Sequence, residues 1–79
     1  MKKLESKIIL SYLKNALKIS SKKKITINSY LKDIIELDSF GWLLVIEYLD
    51  KRDLHLNVKK ITNIKKVKDL KKIILKKYD

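Results

Sequence analysis

The 79-residue sequence predicts an all-α fold, a small four-helix bundle of three main helices and one short helix, with a long loop between helices 1 and 2. Three observations carry this expectation. Apolar residues recur at three- and four-residue spacing near both ends of the chain, and a helix-capping pair precedes the apolar run Trp42-Leu43-Leu44-Val45-Ile46. The one late stretch that alternates like a strand, Asp53-Leu54-His55-Leu56-Asn57-Val58, has no evident partner and reads as an extended connector.

Leu4, Ile8, Ile9, Tyr12, Leu13, Ala16 and Leu17 fall on one face of a first amphipathic helix, with Lys2, Lys3, Lys7, Lys14 and Lys18 mostly elsewhere. Ser20-Ser21-Lys22-Lys23-Lys24 breaks the pattern as a turn or loop. Ile25 and Ile27 alternate like a strand that would have no partner, whereas Tyr30, Leu31, Ile34 and Ile35 space like a helical turn. Residues 25–37 are therefore expected to form a long loop that pins apolar side chains to the core and holds one helical turn between about Ser29 and Ile35. Helix 2 is expected from Ser39 to about Arg52, with Phe40, Leu43, Ile46 and Leu49 as its core stripe and Trp42, Leu44, Val45 and Tyr48 widening it; these lie too far round the helix for all to be buried in so small a bundle, so that either some face a ligand or partner or loop 25–37 covers them. Val58, Ile61, Thr62 and Ile64 suggest a short third helix, and Val67, Leu70, Ile73 and Ile74 a final amphipathic one.

Composition bounds the function. A chain of this length is expected to make one domain, residues 1–79, with a core near the lower limit for folding unaided. It has no cysteine and a single histidine, His55, so disulfides, thiolate metal ligands and redox chemistry by the protein itself are excluded, and no metal site is expected. The apolar runs are too short to span a bilayer, and Met1-Lys2-Lys3-Leu4-Glu5 leads into an amphipathic pattern; a cytoplasmic monomer without an integral membrane segment is expected. The formal charge of +11 is the competing signal, since basic small domains bind nucleic acid or anionic lipid. All basic residues but Arg52 are lysines, however, whereas base recognition favours arginine. With one alanine, one glycine and no proline, the chain has the bias of translated AT-rich DNA, and solvated lysine faces with no specific nucleic acid are the expected reading.

Chemistry concentrates at Leu37-Asp38-Ser39-Phe40-Gly41. Asp38 is suited to accept hydrogen bonds from the first N–H groups of helix 2, and Ser39 falls in its first turn, where free N–H groups and the positive end of the helix dipole favour a phosphodiester on the hydroxyl. Taken alone, the pair reads first as an ordinary cap. No nucleophile with a base and an orienting partner can be assembled, so the chain is not expected to be an enzyme. His55, Glu47 and Asp50 read as solvated, and Tyr12 and Tyr30 as packed rings with their hydroxyls reaching water or backbone.

The order of helix, long loop, Asp-Ser at a helix start, short helix and final helix resembles the acyl carrier proteins over most of the chain. Leu37-Asp38-Ser39-Phe40 looks like that family's phosphopantetheine attachment motif, supported by the spacing of Leu43, Ile46 and Leu49 and by Lys66-Val67-Lys68-Asp69-Leu70, which is similar to the segment that opens the family's last helix. The resemblance implies that Ser39 receives 4'-phosphopantetheine from a phosphopantetheinyl transferase, with Asp38 as the motif acid. The arm would then carry an acyl or aminoacyl group as a thioester between a loading ligase and an acceptor enzyme. Glu36 stands where many members have glycine, and the form Leu-Asp-Ser-large-Gly looks closer to D-alanyl carriers and discrete carriers of specialised pathways than to the acidic fatty-acid carrier. Phe40, Gly41, Trp42, Leu44, Glu47 and Lys51 are the expected partner-docking residues. Phe40 and Trp42 each admit two roles, core filler or lip of the groove for arm and cargo, the core being favoured for Phe40. The mixed charge of this face, which also includes Asp50 and Arg52, suggests a partner with an acidic or apolar docking patch. The alternatives are a basic helical nucleic-acid binder or a protein adaptor that lacks the prosthetic group.

Overall fold

The computed structural model describes residues 5–20 and 23–76. Leu4, Lys2 and Lys3 of the predicted first helix, and Ser21 and Lys22 of the predicted break, lie outside them. Helix α1 (Ser6–Leu17) buries Ile9, Leu13, Ala16 and Leu17, the expected stripe, while Ile8 turns outward. Lys18 ends the helix in the left-handed conformation at φ 55°, and the N–H of Ile19 returns to the Lys14 carbonyl at 3.0 Å.

The segment from 25 to 37 holds a single 3-10 turn, Leu31–Asp33, within the span the sequence predicts, and buries Ile25, Leu31 and Ile34. It also has a backbone partner that the sequence did not reveal. The Leu31 N–H donates to the Lys65 carbonyl at 2.7 Å, the Val67 N–H to the Ser29 carbonyl at 3.0 Å and the Lys68 N–H to the Ile27 carbonyl at 2.9 Å, around a bridge between Tyr30 and Lys66. Helix α2 (Ser39–Asp50) follows, and its buried line is Gly41, Val45 and Leu49.

The protein is mostly helical, but a small antiparallel sheet corrects the all-helical expectation. Strand β1 (Leu54–Leu56) pairs with β2 (Ile74–Lys76), with Leu54 opposite Lys76, His55 opposite Leu75 and Leu56 opposite Ile74. Alternation explains the burial: Leu54, Leu56 and Ile74 face the core, while His55 and Leu75 face out together. The short third helix is a 3-10 helix, Val58–Asn63, with no buried residue. The expected final α-helix is a 3-10 helix, Val67–Lys72, that gives way to β2. Val67, Leu70, Ile73 and Ile74 are buried as expected, in a conformation that was not.

These elements share one hydrophobic cluster, in which α1 packs on α2 and on the 67–72 turns, and α2 packs on β1. No helix among the described residues is long and apolar enough to cross a membrane.

Candidate functional site at the start of helix α2

Asp38 has extended backbone, φ −93° and ψ −166°, and its carboxylate accepts the Gly41 N–H at 2.8 Å, closing the helix start as an N-cap. Its carbonyl accepts the Trp42 N–H at 2.9 Å, the first bond of the helix ladder. Ser39 is thereby the first residue of α2. It is exposed, and its hydroxyl has no hydrogen-bond partner among the described residues. A group esterified there would meet no side chain that must first be displaced, and would sit at the positive end of the helix dipole. The residues present fit a phosphodiester-linked arm.

The approach to Ser39 is held from behind. Gly41 packs so closely on the Glu36 carbonyl that a Cβ would collide with that oxygen and press on Leu17 Cδ2 at 3.2 Å. Lys23 Nζ donates to Glu36 Oε1 at 2.6 Å, tying the start of the long loop to its end. That hydrogen bond, with the Glu36 N–H and the attraction of the ammonium, holds the Glu36 carboxyl below its ordinary range against a smaller desolvation effect.

The expected docking residues separate. Phe40 is 67% exposed, which corrects its assignment to the core, and Leu43 of the expected core stripe is 62% exposed. The cause is the rotation fixed by Gly41: at about 100° per residue, Val45 and Leu49 follow Gly41 inward, whereas Leu43 stands about 200° away. Ile35, just before the site, is 83% exposed. Gly41, also among the expected docking residues, is buried. Trp42 and Leu44 are half-buried against the core. Glu47 and Lys51 are exposed and pair with each other at 3.6 Å. Arg52 is not a free cation, since its guanidinium stacks 3.6 Å from the Tyr48 ring centroid and its NH1 donates to the Tyr48 carbonyl. Tyr12 joins this stack with its centroid 5.6 Å from that of Tyr48.

Ile35, Phe40 and Leu43 give the surroundings of Ser39 an exposed apolar character; spacing places all three toward the core, although some apolar residues of helix 2 are expected to face a ligand or partner and Phe40 is among the expected docking residues. One feature escaped the sequence reading, the segregation of charge: residues 33–50 contain Asp33, Glu36, Asp38, Glu47 and Asp50, five of the nine acidic residues, and none of the 20 basic ones. A count by segment would have found this, and the total of +11 conceals it. Among the described residues no group of three or more histidine, aspartate or glutamate side chains could hold a metal ion.

No protein-family model matches the chain, and no curated protein or solved structure matches it.

Proposed function

We propose that the protein is an acyl or aminoacyl carrier of the acyl-carrier type, modified on Ser39 with 4'-phosphopantetheine by a separate transferase. The observation that supports this reading best is the exposed, unpartnered Ser39 hydroxyl on the first turn of α2, directly after the Asp38 cap. In that modification Ser39 Oγ would take the phosphopantetheinyl group of coenzyme A, the pyrophosphate P–O bond breaking to release 3',5'-adenosine diphosphate and the hydroxyl proton passing to the transferase. Asp38 keeps the first turn closed, so that the hydroxyl is presented on rigid backbone rather than on a loop. When attached, the arm supplies a terminal thiol that holds cargo as a thioester, chemistry that a chain without cysteine cannot offer by itself.

Docking in this account is apolar first. Phe40 and Leu43 present one face of α2, Ile35 precedes them, and residues 33–50 themselves contribute no lysine or arginine, Lys23 reaching the segment through its pair with Glu36. Enzymes that load and unload the arm are therefore expected to meet Ser39 with an apolar surface tolerant of nearby carboxylates.

Incubation with coenzyme A and a broad-specificity transferase tests the proposal. Intact mass should rise by one phosphopantetheine on the wild-type chain and stay unchanged on Ser39→Ala. No gain under conditions that modify a reference carrier, or a gain that survives Ser39→Ala, would overturn it.

A further inference from the structure

The backbone bonds between residues 27–31 and 65–68 do more than anchor the long loop. They hold together the walls of a cavity of about 340 Å³, lined by Tyr30, Leu31, Lys32, Ile64 and Lys65. That volume lies within the range of small-molecule sites, about 300–1,000 Å³. Its lining residues are two aliphatic, one aromatic and two basic, and none is acidic.

The cations are concentrated around the ring. Lys66 Nζ stands 5.4 Å and Lys32 Nζ 5.9 Å from the centroid of Tyr30, which is 44% exposed. Among the described residues Lys32, Lys65 and Lys66 form no ion pair, and the nearby Asp69 carboxylate is already engaged. It accepts the Lys65 and Lys66 N–H groups at 3.3 and 3.1 Å and pairs with Lys72 at 3.5 Å. Lys32 and Lys66 thus flank the ring, with Lys65 beside them in the lining, and among the described residues no acidic side chain pairs with any of the three, so that an anion would supply a counter-charge. Two other cavities lack this combination. One that also has Tyr30 in its lining includes Asp33, and the groove on α1 at Lys7, Leu10 and Lys14 has no aromatic wall.

We propose that the cavity between Tyr30-Leu31-Lys32 and Ile64-Lys65 binds a small organic anion, a carboxylate or phosphate monoester on an apolar body. The body lies against Leu31, Ile64 and the Tyr30 ring, and the anionic end meets the ammonium groups of Lys32, Lys65 and Lys66. No residue of α2 lines the cavity, so this site does not depend on modification of Ser39.

Backbone-amide NMR titration of the unmodified Ser39→Ala chain tests the proposal, with sodium octanoate and phenyl phosphate as probes and 1-octanol and inorganic phosphate as controls. Saturable shifts confined to residues 30–32 and 64–66 are expected with at least one probe and neither control. Octanoate alone would identify a carboxylate ligand, phenyl phosphate alone a phosphate ester, and both the broader class. Lys32→Gln with Lys65→Gln should weaken binding about tenfold or more, whereas Lys7→Gln with Lys14→Gln should not. Shifts spread over all lysine faces, equal binding of 1-octanol, undiminished affinity in the Lys32/Lys65 variant, or no binding of either probe would overturn it.

Discussion

At Gly41 the chain uses its single glycine, and the reason is a neighbour rather than a turn: the Glu36 carbonyl lies where a Cβ would stand. Gly41→Ala is expected to cost about 1–3 kcal/mol, the usual range for overpacking, because the colliding atom is backbone and cannot rotate away. Urea denaturation measures it. Glu36 itself predicts a pH effect. Its folded carboxyl titrates below the ordinary value of 4.5, so its stabilising contribution is present above that value and is lost as pH falls through the lowered one. Thermal scans should therefore show Glu36→Gln less stable than wild type near neutrality and the gap closing on acidification below 4.5. The Asp38 cap could be read from sequence because capping is a matter of residue type at one position. Gly41 and Lys23–Glu36 could not, since each depends on how the long loop returns to the helix.

Helix α2 shows where periodicity reached its limit as a guide. Its apolar residues run almost all the way round, so several stripes are compatible with the sequence, and the contact at Gly41 selects 41–45–49 over 40–43–46. Phe40→Ala with Leu43→Ala is accordingly expected to leave stability within about 0.5 kcal/mol of wild type, because both side chains are already largely exposed. The same variant should slow modification by the transferase, and following labelling alongside a melting curve separates the two effects. A large loss of stability would return these residues to the core. The β1–β2 ribbon was hidden for a different reason. Leu54 pairs with Lys76 across more than 20 residues, with no hairpin turn to announce it, and Ile73 and Ile74 continue the helical spacing of Val67 and Leu70.

Across the whole molecule, burial was more legible than conformation. Most of the apolar residues expected inside α1, the long loop and the C-terminal segment are inside, because hydrophobicity decides burial whatever backbone carries it. The order of the elements was legible too, with the sheet as the addition that local patterns could not signal. Charge gives the molecule its polarity: the segment bearing Ser39 has only acidic ionised groups, and every lysine and the arginine lie elsewhere in the chain. The +11 total therefore does not describe the segment that carries the proposed attachment residue. Mass spectrometry of the chain purified from its own host, with fragmentation to locate any added group, tests the central claim most directly. The account predicts one phosphopantetheine per chain, on Ser39. An unmodified chain from cells whose other carriers are modified, or the group on any other residue, would contradict it.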